Sequence, residues 1–538
     1  MSANFFGNTG GEIEMAMWNR EEKNNAAEPR LETYGILRPP TSDAVFAFFV
    51  GDEGAAKTRK EYVAKLFRRL EKLQKLIERS DLPKAEKSRL KGLIFCHRAI
   101  IEYGNVNPNA EVGVHRTDKY AFYSGLVHCT NAWSCPVDSF KILSARCQEI
   151  DEILDVIYEQ KKLQAVMVTF TAPHTKNTKF VEFISAFKFA MRGFKAGRKF
   201  QSVKSVLGLK YTITGFESTY GRNGLHFHSH QIWIVEDVEK FTEELEKECK
   251  AHWMEMCRRF GIEVTSENEQ AFLERGFVLS RDKNGKPVQI HSGKYLCGFG
   301  GGRELSSMSS KVAKNGNRTM WELLDSDDAK DNKIFLEYAL ATAGKGRIVF
   351  SKGLRQFVNM EQEKTDEDIV NEEIPESELV AMIEEEDWYG VLDAEDTERV
   401  PHARAEILET AFNQGYGGLS WYCLQNFNFI PRTPEGYVEV RKYFKAKVAD
   451  EEKGEVEVVQ SELIAKIAEE DWRKVLRFES LGKVPDAHNR IFEVAFTRGY
   501  DALVNYCLEN FGFIPIASEE TRQKMEDEMT GGAGCVFG

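Results

Sequence analysis

The most regular pattern of polar and apolar positions is Leu225-His226-Phe227-His228-Ser229-His230, which alternates strictly and runs on into Gln231-Ile232-Trp233-Ile234-Val235. A period of two predicts a strand, with His226, His228 and His230 on one face and Phe227 free to meet the core. Upstream, residues 210–219 are β-rich, and Tyr220-Gly221-Arg222-Asn223-Gly224 is a cluster of turn formers, so the two runs predict one hairpin. Residues 165–172 predict another strand. Helical spacing governs two further stretches: Phe180, Phe183, Ile184, Phe187, Met191 and Phe194 within residues 178–200, and Tyr62, Leu66, Leu70, Leu73 and Ile77 within residues 58–79.

Three imidazoles on one strand face point to a metal. The hairpin sets Glu217 across from them, adding a carboxylate. Imidazole and carboxylate with open positions suit a catalytic divalent ion, Mn²⁺ or Mg²⁺ with Zn²⁺ as a third option, whereas closed structural zinc sites recruit cysteine.

These residues resemble the HUH-type rolling-circle replication initiators of plasmids and single-stranded DNA phages, whose histidine run is matched by Asn223-Gly224-Leu225-His226-Phe227-His228-Ser229-His230. Three other blocks follow the family's order: Val166 to His174, an apolar strand ending in Thr169-Phe170-Thr171; Lys294-Tyr295-Leu296, at the place of the nucleophilic tyrosine; and Arg347 to Arg355. The resemblance covers about residues 120 to 358 and implies an α+β nuclease domain around a central antiparallel sheet flanked by helices. It implies Tyr295 as nucleophile, on a helix facing the histidines, and His228 and His230 with Glu217 as metal ligands. His226 would be a third histidine ligand or stand behind the others.

The chain departs from the family at two places. The lysine that many members carry three residues after the tyrosine is Gly298, and Lys294 stands beside Tyr295 instead. The glutamate found about one helical turn before the tyrosine is His291, an imidazole able to take a proton near neutral pH. The implied activity is site-specific nicking and joining of single-stranded DNA through a 5′-phosphotyrosine. An HUH transposase or relaxase shares that chemistry, and a non-catalytic DNA-binding protein with a structural metal is the other class.

Charge fits a DNA enzyme once the chain is divided. The whole carries −13, but residues 361–538 hold 40 acidic against 18 basic residues, net −22, leaving 45 acidic against 54 basic in residues 1–360, net +9. The basic part carries the motifs. Lys188, Arg192, Lys195, Arg198 and Lys199 decorate the helix of residues 178–200, reading as a solvated face or a DNA-binding one. No Gly-x4-Gly-Lys-Ser/Thr pattern occurs, so duplex unwinding would come from host proteins, with a host helicase and polymerase as expected partners, or from supercoiling; the expected substrate is origin DNA, single-stranded or cruciform.

The acidic third contains a repeat: residues 377–431 match 461–515 without gaps at 30 of 55 positions. Each copy predicts a small α-helical module, with helices over the Ser-Glu-Leu start, the Ala-x4-Glu-x-Ala-Phe segment and the Leu-x2-Tyr-Cys-Leu segment, separated by a Val-Pro break and a Gly-Tyr turn. Recruitment of a host replication protein, self-association, DNA mimicry or a purely stabilising appendage would each suit such modules. The expected organisation is an N-terminal helical and flexible region (1–119), the nuclease domain (120–358) and the two modules, with charged linkers over 361–376 and 448–459. Ten cysteines without paired spacing read as reduced thiols, Cys129 and Cys135 either as buried thiols or as part of a zinc site completed by His128, His115, Cys96 or Cys147, and no run is apolar enough to span a membrane. A cytoplasmic location in the host follows as the expectation.

Overall fold

The computed structural model describes residues 54–101, 109–117, 120–293, 296, 317–360, 364–372, 377–450 and 454–531. The chain divides into two units, one formed chiefly from Lys72–Ile94 and His128–Ile374, the other from Arg59–Glu71, Phe95–Val127 and Pro375–Gly538. Both combine helices with antiparallel sheets, so the class is α+β. Among the described residues no helix is long and apolar enough to cross a membrane.

The first unit is built on six strands: β1 (Gln164–Phe170), β2 (Tyr211–Gly221), β3 (Gly224–Val235), β4 (Phe277–Leu279), β5 (Arg318–Thr319) and β6 (Ile348–Phe350), in the order β4-β1-β3-β2-β5 with β6 also on β2. The hairpin forms where the alternation placed it. Tyr211 pairs with Ile234 and Gly221 with Gly224, leaving Arg222 and Asn223 as the turn. Gly224 takes a φ of 93°, a left-handed value that any side chain would strain. β1 pairs antiparallel with β3 along its whole length.

Register divides the sheet into two faces, because residues paired across antiparallel strands point the same way. One face carries Thr169, Gly215, Glu217, His228 and His230 at one end, and Ala165, Met167, Ile213, Ile232 and Ile234 at the other. The apolar end is covered by α1 (Pro136–Glu159) through Ile150, Ile153, Leu154 and Ile157. On the reverse face lie α2 (Phe180–Ala196), α3 (Arg198–Leu207) and α4 (Glu243–Arg259). Phe187 meets Phe227 edge-on at 5.2 Å, Phe200 meets Trp233 at 5.7 Å and Trp253 meets Phe170 at 5.1 Å. Each such ring, buried from water, stabilises the fold by roughly 1.5–3 kcal/mol. The sheet is therefore packed on both sides at its apolar end, and aromatic packing continues beneath the histidines at Phe170 and Phe227.

In the second unit the strand Val112–Arg116 pairs with both Ala121–Ser124 and Glu378–Ile383, so these two early strands join the acidic third and not the histidine sheet. The repeated modules are not purely helical. The Ser-Glu-Leu start of each copy is a strand, Glu378–Ile383 or part of Gly454–Ala468, followed by helices Glu385–Asp396 and Ala403–Phe427 or Glu469–Ser480 and Ala487–Phe511. Six residues such as Glu378–Ile383 suit either period, and pairing with Val112–Arg116 decides for the strand. Each Gly-Tyr turn is a kink within one long helix, at Gly415 (φ 59°) and Gly499 (φ 78°). Of the expected linker at 448–459, residues 448–450 and 454–459 lie instead in the paired strands Tyr437–Asp450 and Gly454–Ala468. A buried Glu395–Arg404 ion pair in the first copy is matched by Glu479–His488 in the second.

Candidate metal centre

The hairpin register converts sequence spacing into a cluster. Glu217 pairs with His228, Gly215 with His230, and Thr169 of β1 faces His230 from the other side. Glu217 Oε2 stands 3.1 Å from His228 Nε2 and 3.5 Å from His230 Nε2, and the two Nε2 atoms are 3.1 Å apart. Two ligands each about 2.0–2.2 Å from one ion, spread by 90–110°, lie roughly 3.0–3.5 Å apart. The trio thus already has the edge lengths of a coordination polyhedron, and it is a group that could hold a metal ion.

Access and electrostatics agree with that use. The Glu217 side chain is 36% exposed, against 11% for His228 and 17% for His230, so the open side of the trio is reached past the carboxylate. Burial opposes the charge of Glu217, but hydrogen bonds and charge from His228 and His230 outweigh it and hold the carboxyl well below the usual carboxylate range. The anionic ligand is ready without an added proton acceptor.

His230 has an outer partner. Thr169 Oγ1 lies 2.9 Å from its Nδ1; when Nδ1–H donates to that hydroxyl, Nε2 presents its lone pair toward Glu217 and His228. His228 Nδ1 is buried with no hydrogen-bond partner among the described residues. His226 stands beside the trio, its ring 4.9 Å from that of His228 and 5.3 Å from that of His174. Burial first, then His228 and His174, push the His226 pKa well below its ordinary value, keeping the ring neutral. Thr169 and His174 carry no sequence-assigned role, although both lie in the Val166 to His174 block; strand register puts Thr169, and a ring contact puts His174, beside the histidines.

Lys294 and Tyr295 lie outside the described residues, but their neighbours on each side are placed. Gly293 N donates to the Asp151 carboxylate at 2.5 Å, and a Cβ on Gly293 would collide with Ile150 of α1. Leu296 is buried in the core beneath α1, and its backbone rests on Gly215, where a Cβ would stand 2.5 Å from the Leu296 carbonyl oxygen. Gly215 is the residue paired with His230. A glycine inside a strand marks close backbone approach, and here the approaching chain is the one that carries Tyr295. His291 does not stand on a helical turn. It lies in an extended segment whose Ile290 N donates to Ala165 O, exposed and stacked on Tyr158 at 4.4 Å.

The five basic residues of α2 and α3 belong to the helical layer on the sheet's reverse face, and the fold does not bring them to the trio. Lys195 Nζ donates to Thr212 and Thr214 at 3.2 and 3.3 Å, and burial pulls its pKa down to about 8. Lys188 Nζ donates to Gly346 O, and Lys199 pairs with Glu255. Arg192 and Arg198 are exposed. At the cysteine segment, the buried Asp138 carboxylate accepts from Cys129 N, Thr130 N and His128 Nδ1, while Cys135 Sγ caps α1.

Compared with known proteins, the chain matches no family model, no curated protein and no solved structure.

Proposed function

We propose that the chain is a metal-dependent DNA-nicking and joining enzyme that initiates rolling-circle replication, with single-stranded origin DNA as its substrate. The observation that carries the reading is the juxtaposition on one sheet face of the Glu217, His228 and His230 trio with the backbone of Leu296, next to Tyr295 in sequence. Three ligands with an open side suit a catalytic ion better than a closed structural one. Mn²⁺ or Mg²⁺ fits the hard carboxylate and the exchange of water for phosphate oxygens, with Zn²⁺ as the alternative.

Bound there, the ion would polarise the scissile phosphate and neutralise developing charge. The protein's own contribution is position. Glu217, His228 and His230 fix where the phosphate sits, Gly215 seats the chain at Leu296, and the Tyr295 hydroxyl supplies the nucleophile. The tyrosine oxygen forms a bond to phosphorus and gives up its proton, the bond from phosphorus to the 3′ oxygen breaks, and that oxygen leaves as a hydroxyl. Rejoining is the reverse, since the phosphodiester energy is kept in the phosphotyrosine. His291, exposed beside Tyr158, is available as a base for a second, water-driven cleavage.

The test is to incubate 3′-labelled mixed-sequence single-stranded DNA with the protein and Mn²⁺ and look for a denaturant-resistant protein–DNA species. It is expected with the wild-type chain and absent with EDTA or with His228→Ala/His230→Ala. A species that forms equally in all three overturns the metal's role.

A further inference from the structure

The helical layer on the reverse face of the sheet has one aromatic side chain that escapes its buried stripe. Phe189 of α2 is 51% exposed, and its ring lies nearly flat against Phe260 at the end of α4, centroids 6.2 Å apart and planes 17° from parallel. Gly193, one turn on, permits this approach, since a Cβ there would stand 2.6 Å from the Phe260 ring. Cations flank the pair. The guanidinium carbon of Arg192 is 5.5 Å from the Phe189 ring centroid, and that of Arg259 is 5.9 Å from the Phe260 centroid.

These cations are not neutralised. Among the described residues neither Arg192 nor Arg259 has a salt-bridge partner, and Glu255 of α4 is engaged by Lys199 at 2.8 Å. Lys188 lies over the Phe216 ring at 4.5 Å and its pKa falls to about 8, through burial first and then through the like charges of Lys345 and Arg192. Lys188 thus faces the like charges of Lys345 and Arg192, and among the described residues none of the three has a salt-bridge partner.

We infer that this face is a second contact for single-stranded nucleic acid, with a base stacked on exposed Phe189 and the backbone phosphates drawn to Arg192, Arg259 and the Lys188–Lys345 cluster. A flat exposed ring accepts any base, and a guanidinium beside it serves both stacking and phosphate contact. The site extends the preceding reading by giving the same strand a hold away from the metal, but it requires neither the ion nor Tyr295.

The experiment is fluorescence anisotropy of labelled oligo-dT on the full chain in EDTA, with heparin as a polyanion lacking bases. Phe189→Ala is expected to weaken oligo-dT binding roughly ten-fold, with heparin binding and Mn²⁺ affinity unchanged. Phe189→Trp should retain binding, and Arg192→Gln should weaken both ligands. Unchanged oligo-dT affinity in Phe189→Ala/Arg192→Gln overturns the site. An equal loss of oligo-dT and heparin in Phe189→Ala overturns the stacking role. Failure of the nicking reading is separate: it shows as no covalent adduct in Mn²⁺ while Phe189→Ala still loses oligo-dT.

Discussion

Thr169 Oγ1 stands 2.9 Å from His230 Nδ1, joining the first strand of the sheet to the third, which carries the two histidines of the metal trio. An outer hydrogen bond of this kind fixes the tautomer of a ligand histidine, and its loss typically costs 10–100-fold in affinity. Thr169→Val, which keeps the branched shape, is therefore expected to weaken Mn²⁺ binding about ten-fold by calorimetry, with Thr169→Ser near wild type. Nitrogen NMR of the His230 ring should show a mixed tautomer in the valine variant only. Equal affinity in all three proteins would show that His230 is held by packing alone.

Gly215→Ala separates the nucleophile from the metal. The added methyl meets the Leu296 carbonyl at 2.5 Å, so the segment over the strand must shift while Glu217, His228 and His230 keep their partners. A displacement near 1 Å at a reacting group costs about 100-fold in rate. Adduct formation should fall by roughly that factor with Mn²⁺ affinity within a few-fold of wild type. Loss of metal binding would instead mean that the strand itself had been distorted.

Lys195 provides a pH test. Its folded pKa of about 8 lies below the ordinary 10.5 because the charged form is buried, so the folded state releases its proton before the unfolded state does. Between about pH 8 and 10.5 the unfolded chain binds more protons, and stability from this residue rises with pH. Lys195→Met is expected to be more stable than wild type at pH 7 in urea unfolding, with the difference shrinking toward pH 10. Oligo-dT affinity should not change, since Lys195 Nζ faces Thr212 and Thr214.

The parts of this architecture that sequence could convey are those written in short periods. Alternation from Leu225 to His230 specified the strand, its turn and the shared histidine face, and Glu217 followed from counting back across that turn. Partnerships over long separations were not legible. The pairing of Val112–Arg116 with Glu378–Ile383 makes a strand of a segment whose own pattern suits either period. Thr169 reaches His230 only through the register of a third strand, and which face of the sheet α2 covers is a tertiary choice. Periodicity identified α2's buried stripe but put Lys195 on a solvated or DNA-binding face, whereas a long side chain beside such a stripe can fold back onto the sheet.

The most direct measurement is the identity of the residue that becomes covalently attached to DNA. Wild-type protein is treated with single-stranded DNA and Mn²⁺, digested with nuclease and trypsin, and the peptides are sequenced by mass spectrometry. The expected result is one modified peptide carrying a 5′-phosphonucleotide on Tyr295, absent in Tyr295→Phe even though that variant binds Mn²⁺ and oligo-dT as wild type does. A modified tyrosine elsewhere, Tyr220 before the histidine strand being the first to inspect, or an adduct that persists in Tyr295→Phe, would contradict the assignment of the nucleophile. Absence of any adduct from a wild-type chain shown to bind Mn²⁺ would contradict the nicking function itself.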